Sequence, residues 1–431
     1  MNSLKMLKIL VSHHAYPEVT SYTTILFRNV IPILQKTTEI EIIWAIHSNH
    51  TNKIKKSSEN STILQITNFK NGIEMIKTVK PDIVFIIPGL SSPDYAIYLA
   101  AKFLNLKIIG GQISGPFFSV VEKKNKFITY FLQSFQKTSL SKNDKGEREI
   151  LRSQSLWMKY NFLFRTMKSM KMSPYKICKE FFEFILSHLS VKFLLKFNSK
   201  FKCDAIFVDS EIEKERKIQE GYRKKSLIVT GNPSYDQVIK NINENKISRK
   251  NQNGIKILFL TVNLEGQGGQ WTRKKRDYML KKFLRVCEKE NYNVSIKIHP
   301  SGENLEEYKS IISSINPKIP IYQEESLVDC IKNTDIVFSM SSSTAGLTAL
   351  FLKKPVIIWN FFNVKNDLFL ENKLALECKK IEILPEYVKQ SLKTNPASDE
   401  KFNAVVSKIL YKVDGNASER IANEILKLVQ K

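Results

Sequence analysis

The chain has 431 residues, a formal net charge of +25 and five Cys, and 42% of its residues are hydrophobic. Single hydrophobic cores stop growing at roughly 250–300 residues, so this length predicts two domains. The apolar fraction excludes a disordered chain. An odd number of Cys with no CxxC pair excludes a disulfide framework and a zinc ribbon, and is typical of a reducing compartment.

The positive charge is concentrated in one part of the chain. Residues 121–202 contain 18 Lys or Arg against six Asp or Glu, a net charge of +12. Most of the basic residues are Lys, whereas bidentate recognition of bases and phosphates favours Arg. We therefore expect no nucleic-acid partner, and a local contact with an anionic membrane surface or a phosphate-bearing substrate.

The first 118 residues alternate strand-like and helix-like segments. In chain order the pattern predicts a strand at Leu7–Val11, a helix at Tyr22–Leu34, a strand at Glu39–Ile46, a helix at Ile73–Val79, a strand at Asp82–Ile87, a helix at Tyr95–Leu104 and a strand at Lys107–Ile109. This alternation predicts a parallel sheet with its ligand site at the carboxyl ends of the strands. Paired His residues interrupt the first apolar run, which we interpret as a strand and not a signal peptide.

From about residue 120 to residue 202 the alternation stops. Lys-rich and Phe-rich patterns with helical spacing predict a basic helical insertion in the first domain. The most apolar stretch, Ile177–Phe197, carries several charges and falls short of the roughly 18 uncharged residues of a spanning helix, which indicates an amphipathic helix against protein or membrane. Its aromatic series is interpreted as core or as a membrane-facing stripe: Phe181, Phe182, Phe184, Phe193 and Phe197.

A polar stretch divides the chain. Two short strands, Ala205–Val208 and Leu227–Val229, are followed by residues 241–254, which contain almost no apolar side chain. Such a stretch is typical of a linker, so we predict domains at 1–240 and 254–431. After it the alternation restarts, with predicted strands at Ile255–Thr261, Val294–Ile298, Ile319–Tyr322, Ile336–Met340 and, last, Pro355–Trp359. The predicted fold class is α/β, with two Rossmann-like domains and a cleft between them.

Three strands of the second domain end in residues that can bind a phosphate. His299 and Pro300 follow one strand, and the Pro fixes the turn that holds the imidazole at the sheet edge. Four hydroxyl side chains precede a helix whose N-terminus favours an anion, although an ordinary N-cap needs only one of them: Ser341, Ser342, Ser343 and Thr344. A Gly-rich loop follows the first strand and lets main-chain amides approach a diphosphate: Asn263, Gly266, Gly268 and Gly269. Together these loops indicate a nucleotide-phosphate site.

The same residues resemble the motifs of a known group. Ile296–Pro300 (IKIHP) and Ser339–Ile357 (SMSSSTAGLTALFLKKPVI) resemble the His-Pro and Ser-Ser motifs of bacterial capsule-type sialyl- and Kdo-transferases. Val229–Asp236 (VTGNPSYD) resembles the segment that closes the first domain in the GT-B glycosyltransferases and the UDP-N-acetylglucosamine 2-epimerases. The resemblance implies a GT-B fold without metal or cofactor, in which the final helix, Ser418–Gln430, packs back on the first domain. Positive loops and helix ends then stabilise the leaving group.

The resemblance also implies roles for single residues. His299 would contact the donor phosphate, and Ser341, Ser342, Ser343 and Thr344 would bind the phosphate or a sugar carboxylate. An inverting transfer further needs a general base from the first domain, facing the donor. The candidates are His13, His14, Glu18 and the loop Gly110–Gly115, of which we favour Glu18 or His14.

Two family motifs are missing from the first domain. The acidic pair followed by Gly that supplies the base in sialyltransferases of this type is absent, and the Gly-Thr-Arg-Pro-Glu loop of the epimerases survives only as Pro17-Glu18. His47, His50 and His188 have no partner pattern and are interpreted as structural.

The sequence thus predicts a cytoplasmic, metal-independent glycosyltransferase of capsule or lipopolysaccharide biosynthesis. Its donor would be a nucleotide-sugar, first of all a CMP-linked acidic sugar such as a sialic-acid-like sugar or Kdo, and its acceptor a glycan or glycolipid. Peripheral contact with an anionic membrane, on its inner face, is expected through residues 121–202. Two alternatives stay open: a UDP-sugar 2-epimerase of the same fold, and a non-catalytic scaffold of this fold at the membrane.

Overall fold

The computed structural model contains two parallel β-sheets, seven-stranded in the first domain and six-stranded in the second. The structure describes residues 6–14, 17, 22–47, 61–88, 91–111, 157–193, 200–244, 254–261, 273–299, 303–361, 367–395, 397 and 399–430. Each sheet has apolar clusters on both faces, so the predicted fold class of two Rossmann-like domains is confirmed. Within these ranges, none of the helices has the length and hydropathy that crossing a bilayer requires.

The first sheet has the strand order β3-β2-β1-β4-β5-β6-β7. Its strands are β1 Leu7–His13, β2 Ile40–Ile46, β3 Ser61–Gln65, β4 Ile83–Ile86, β5 Lys107–Gly110, β6 Ala205–Val208 and β7 Leu227–Val229. The helices of this half are α1 Tyr22–Leu34, α2 Gly72–Val79, α3 Ser92–Phe103, α4 157–169, α5 Pro174–Phe193, α6 Glu211–Gln219 and α7 Asp236–Glu244.

The central strands are apolar along their whole length because both of their faces are buried. In β1, Leu10 joins the cluster on one face of the sheet, whereas Ile9 and Val11 join the cluster on the other. β1 pairs in parallel with β2 and with β4, so the carboxyl ends of all three strands meet at one edge. That edge carries Ser12 and His13.

The second sheet has the strand order β10-β9-β8-β11-β12-β13. Its strands are β8 Lys256–Leu260, β9 Asn293–Lys297, β10 Ile321–Tyr322, β11 Ile336–Ser339, β12 Val356–Trp359 and β13 Leu376–Cys378. Its helices are α8 Arg273–Lys289, α9 Leu305–Ser313, α10 Leu327–Lys332, α11 Thr344–Phe351, α12 Leu368–Glu371, α13 Leu384–Lys393, α14 Asp399–Leu410 and α15 Ala417–Gln430.

The prediction that Pro355–Trp359 is the last strand is wrong, because β13 pairs in parallel with β12 and extends the sheet. β3 was likewise not predicted. Both are short edge strands with few buried side chains, and in β3 only Ile63 is fully buried. A strand that buries so little leaves little hydrophobic pattern in the sequence.

Two helices cross between the domains. α15 packs on α1, and its Ile421 and Ile425 share a core cluster with Phe27 of the first domain. In the other direction, Val238 of α7 lies in the core cluster of the second domain. The Asp236 carboxylate accepts hydrogen bonds from the main-chain N–H of Ala417 and Ser418 (3.1 and 2.7 Å), so the first turn of α7 caps α15. The domain boundary itself stays a prediction, since residues 245–253 of the expected linker lie outside the described residues.

Part of the expected helical insertion is described. Residues 112–156 and 194–199 lie outside the described residues, and α4 and α5 occupy most of the remainder. In α4, Leu163 and Met167 are buried in the first domain's core, and the Thr166 hydroxyl accepts a hydrogen bond from the Gly72 N–H (2.9 Å). The described helices are therefore built onto the first domain.

Candidate functional site

The three loops singled out in the second domain follow adjacent strands. β9, β8 and β11 are neighbours in the sheet, and the N–H of Thr261, just after β8, donates to the carbonyl of Lys297 at the end of β9 (3.1 Å). All three loops thus begin at the same carboxyl edge, where open α/β sheets bind ligands. Asn263, Gly266, Gly268 and Gly269 lie outside the described residues.

His299 stands exposed at this edge, just past β9. Its main-chain N–H donates to Thr261 Oγ1 (3.0 Å) and to the Glu303 carboxylate (2.7 Å). Glu303 also accepts from the hydroxyls of Thr261 and Tyr308, the latter at 2.5 Å. The Glu303 carboxylate therefore fixes the position of the His299 main chain and also binds Thr261, the residue that follows β8. Glu303 was not predicted from the sequence, because no motif marks it.

Two hydroxyl side chains of the Ser-rich loop form hydrogen bonds within the protein. The Ser342 hydroxyl donates to the Asp367 carboxylate (2.5 Å), which also accepts from the Ser342 N–H (2.7 Å). Ser343 is the N-cap of α11, with its Oγ accepting from the Gly346 N–H (3.0 Å). Ser341 is half-buried and Thr344 exposed, and neither hydroxyl has a hydrogen-bond partner among the residues that the structure describes.

Asp367 and Gly346 explain why the loop adopts this shape. Asp367 caps α12 by accepting from the N–H groups of Phe369 and Leu370 (3.1 and 3.2 Å), so it draws α12 against the loop. A Cβ on Gly346 would meet the Phe369 ring at 2.9 Å, so the close approach of α12 requires glycine there. Ser342 and Ser343 thus shape the loop, and Ser341 and Thr344 remain as side-chain donors for a ligand.

Two arginines that follow the Gly-rich loop are engaged in ion pairs. Arg273 and Arg276 both contact the Glu307 carboxylate (3.1 Å each), and the Arg276 guanidinium lies over the Tyr308 ring at 4.9 Å. Lys297 at the end of β9 donates to the Gln323 carbonyl (2.5 Å), and burial lowers its pKa. The N-terminus of α11 adds positive potential at this edge, and an anion there would meet a helix dipole and hydroxyl donors.

In the first domain, His14 is exposed just past the end of β1. Its ring lies 4.6 Å from that of His13, which is buried edge-on against Trp44. Partial burial, with a smaller contribution from Lys159 of α4, lowers the pKa of His14. The imidazole is therefore neutral at physiological pH and can accept a proton. Glu18 and residues 112–115 of the other candidate loop lie outside the described residues.

Three buried polar side chains lie behind this strand tip. Ser12 Oγ is 2.7 Å from His47 Nε2, and the main-chain N–H of His47 donates to the main-chain carbonyl of His13 (3.0 Å). Asp94, in the first turn of α3, accepts a hydrogen bond from the Ser91 hydroxyl, and burial raises the pKa of its carboxyl to about 6. The sequence predicts a structural role for His47 and no role for Ser12 or Asp94. Ser91 and Asp94 carry the Ser-x-x-acid pattern of a capping box, which predicts a helix start and no chemistry.

A groove lies away from this edge. It has a volume of about 840 Å³ and is lined by residues at the amino ends of β8 and β9, such as Lys256 and Asn293, on the side opposite the loops. No three His, Cys, Asp or Glu side chains of the described ranges lie close enough together to hold a metal ion. Metal independence stays a prediction.

Comparison with known proteins adds a family. A model of the alpha-2,8-polysialyltransferase family matches residues 5–359. No curated protein sequence matches the chain.

The fold is similar to three solved structures with low sequence identity. A putative UDP-N-acetylglucosamine 2-epimerase from Listeria monocytogenes has 16% identity and a TM-score of 0.51, covering 98% of this chain and 96% of that one. The UDP-GlcNAc 2-epimerase from Neisseria meningitidis, bound to UDP-GlcNAc, has 16% identity and a TM-score of 0.51, covering 98% and 100%. The wall teichoic acid polymerase TagF has 11% identity and a TM-score of 0.54, covering 98% and 89%. The expected GT-B arrangement is thereby confirmed.

Proposed function

Because the chain belongs to the alpha-2,8-polysialyltransferase family, we propose that it transfers an acidic sugar from a CMP-linked donor to a glycan or glycolipid acceptor. Family membership makes the chain a glycosyltransferase that uses a nucleotide-sugar. The donor, of which a sialic-acid-like sugar or Kdo is the first choice, and the acceptor are the proposed part. The acceptor belongs to capsule or lipopolysaccharide biosynthesis in this proposal.

The observation that carries the proposal is the shared edge of β9, β8 and β11. His299, Ser341 and Thr344 stand at this edge, beside the N-terminus of α11. In our proposal these donors bind the phosphate of the nucleotide and stabilise its negative charge as the nucleotide leaves. Preorganised donors have the same role in acyl and phosphoryl transfer. No metal or other cofactor takes part, and Asn263, Gly266, Gly268 and Gly269 complete the site.

We propose His14 as the general base, with Glu18 as the other candidate. The support for His14 is its position at the carboxyl edge of the first sheet, its exposure, and a pKa that burial holds below the ordinary value. A neutral imidazole at this edge can take the proton of the acceptor hydroxyl as that oxygen attacks the sugar.

We also propose that residues 121–202 contact an anionic membrane, on the cytoplasmic face. The support is the outer surface of α4 and α5. Residues 157–179 contain six Lys or Arg and no Asp or Glu. Large aromatic side chains are exposed among them, with Trp157, Phe164, Tyr175 and Phe182 at 69, 47, 76 and 62%. Exposed aromatic rings and lysines on one helical surface are typical of peripheral membrane contact.

The two helices are in contact, and each has an exposed outer side. Trp157, Phe164 and Lys168 recur at helical spacing on the outer side of α4, and Tyr175, Lys179 and Phe182 recur in the same way on α5. The rings of Tyr160 and Phe181 are 5.6 Å apart, which joins the two sides. We call this the aromatic-basic surface.

The donor class is tested by thermal unfolding in the presence of CMP, UDP, CDP and GDP. We expect CMP to raise the unfolding temperature most, and His299→Ala to remove at least half of that increase. Lys318→Ala, exposed near the amino edge of the same sheet, serves as the control and should keep it. Stabilisation by UDP alone would contradict the CMP donor, and no stabilisation by any nucleotide would contradict the proposed function.

A further inference from the structure

Glu303 joins the ends of three strands at the edge where we place the donor. Its Oε2 accepts hydrogen bonds from the main-chain N–H of His299, just past β9 (2.7 Å), and from the hydroxyl of Thr261, just past β8. Its main-chain carbonyl accepts from Gln323 Nε2, just past β10 (3.2 Å). The His299 N–H also donates to Thr261 Oγ1 (3.0 Å). A single residue therefore links the segments that follow β8, β9 and β10.

The other carboxylate oxygen of Glu303 is anchored in the second domain. Oε1 accepts from the hydroxyl of Tyr308 in α9 (2.5 Å), and Tyr308 is only 1% exposed. The Arg276 guanidinium lies over the Tyr308 ring at 4.9 Å and is paired with Glu307 (3.1 Å). Arg276 is buried near the start of α8, the helix that follows the Gly-rich loop. The Glu303 side chain is thus held in place by packed helices behind the edge.

Gln323 is fixed from a second side. Its main-chain carbonyl accepts from the ammonium of Lys297 at the end of β9 (2.5 Å), and its main-chain N–H donates to the Glu325 carboxylate (2.8 Å). The segment after β10 is therefore attached to β9 by the Lys297 side chain and to Glu303 by its own side chain. With these bonds the three strand ends form one connected unit, of which His299 is an exposed member.

A carboxylate beside a proposed phosphate site calls for an explanation, because like charges repel. In the described part of the chain, both oxygens of Glu303 accept hydrogen bonds from N–H or O–H groups of the protein. Such bonds stabilise the negative charge and fix the direction of each donor. The His299 main-chain N–H is one of these donors, so a phosphate at this edge would meet the His299 side chain. The contribution of Glu303 is therefore to geometry.

We propose that Glu303 is a positioning residue of the donor site, which holds the His299 main chain where the imidazole meets the donor phosphate. The inference rests on the proposed function. Glu303 itself touches neither donor nor acceptor and acts through His299. A misplacement of about 1 Å at a reacting group can cost about a hundredfold in rate. Loss of the bond between Glu303 and the His299 N–H should therefore weaken donor binding strongly.

The first test measures the binding of CMP by isothermal titration calorimetry. Glu303→Ala should raise the Kd of CMP about tenfold or more. Glu303→Gln should stay within about threefold of wild type, because its amide oxygen can accept from the His299 N–H while its NH₂ group donates to the Tyr308 oxygen. A role of Glu303 in the fold alone predicts no such effect on CMP. A Kd within about twofold of wild type in Glu303→Ala would overturn the positioning role.

Asp335→Ala is the matched control. The Asp335 carboxylate accepts from the main-chain N–H of Lys256 (2.8 Å), so it joins strand ends at the amino edge of the same sheet as Glu303 does at the carboxyl edge. Loss of this bond should leave the Kd of CMP unchanged. An equal rise of the Kd in Asp335→Ala and Glu303→Ala would overturn the positioning role, because loosening the sheet anywhere would then be sufficient.

The second test asks whether Glu303 acts through His299. In a His299→Ala background, Glu303→Ala should raise the Kd of CMP by less than about twofold more, because the side chain that Glu303 positions is then absent. A further rise of about tenfold would overturn the proposal. If Glu303→Ala does not fold because the buried Tyr308 hydroxyl loses its partner, Glu303→Ala with Tyr308→Phe removes that hydroxyl and takes its place in both tests.

CMP binding by the wild-type protein separates this role from the proposed function. If the wild type does not bind CMP, the CMP-linked donor is contradicted, and the positioning role with it. If the wild type and Glu303→Ala bind CMP equally well, the positioning role alone is overturned and the proposed donor stands.

Discussion

Asp209 is a buried carboxyl at the end of β6, between the first sheet and the segment that leads to the second domain. It is 1% exposed and accepts hydrogen bonds from Asn232 Nδ2 (3.0 Å) and the Tyr22 hydroxyl (3.3 Å). Burial is the main cause that raises its pKa to about 7, and the nearby Glu213 adds to it, while the two hydrogen bonds and Arg216 oppose it. The folded protein therefore favours the neutral carboxyl.

This shift predicts a pH-dependent stability. Because the folded pKa lies above the unfolded value of about 3.9, Asp209 contributes stability that is complete below that value and is lost as pH rises through about 7. Asp209→Asn cannot ionise, so its stability relative to wild type should increase between pH 5 and pH 8, on the order of 2 kcal/mol. Urea unfolding at the two pH values measures this difference. The control, Asp335→Asn at an exposed position, should differ in stability from wild type by the same amount at both pH values. The same constant difference for Asp209→Asn would contradict the raised pKa of Asp209.

At the residue scale, the sequence predicted the loops of the proposed donor-binding site, but not which of their hydroxyl groups form hydrogen bonds within the protein. Four consecutive hydroxyls at a helix start indicated an anion site, and the structure commits Ser342 to Asp367 and Ser343 to the cap of α11. Asp367 approaches only because α12 folds back against the loop, and that contact leaves no local pattern. The hydrogen-bond partners of hydroxyl groups depend on tertiary packing. The number of Ser and Thr residues in the loop therefore overestimates the number of hydroxyl donors that a ligand can use.

At the element scale, the buried central strands were predictable, whereas the edge strands β3 and β13 were not. β4 is buried at every position and stands out as an apolar run, whereas β3 and β13 are half-exposed and escaped prediction. The aromatic series of α5 shows a similar limit of prediction, because helical spacing does not indicate which face of the helix is buried against the protein. Phe184 packs in the core and Phe182 is exposed.

The aromatic-basic surface of α4 and α5 gives a prediction at this scale. Wild-type protein should sediment with phosphatidylcholine vesicles that contain phosphatidylglycerol, and much less with vesicles of phosphatidylcholine alone. Replacing Phe164, Tyr175 and Phe182 together by Ser should weaken binding at least tenfold, because each ring contributes apolar area to the interface. Raised salt should weaken it as well.

The control for this experiment is Tyr278→Ser, an equally exposed aromatic on α8 (61%), which should bind like wild type. Two results would contradict the membrane contact: equal binding to both vesicle types, or unchanged binding of the triple variant. If a soluble anionic polysaccharide displaces the protein from the vesicles, the aromatic-basic surface binds a polyanionic glycan instead of a membrane.

At the scale of the whole molecule, the two domains exchange helices and so hold their functional edges in a defined relation. α15 returns to α1, and the Asp236 cap ties its start to α7. The sequence predicted the two-domain fold because each half repeats the same strand–helix alternation. It could not predict the contact between Ser12 and His47, which come from separate segments and meet only when β1 and β2 pair.

The central claim is that this chain moves a sugar from a CMP-linked donor to an acceptor. The most direct measurement is mass spectrometry of reactions that contain CMP-linked sialic acid with a glycan acceptor, beside reactions that contain UDP-GlcNAc alone. We predict one CMP released for each sugar added to the acceptor, a loss of at least about tenfold in His299→Ala, and unchanged UDP-GlcNAc. An epimer of UDP-GlcNAc formed without acceptor, or a CMP-linked donor left unconsumed, would contradict the account.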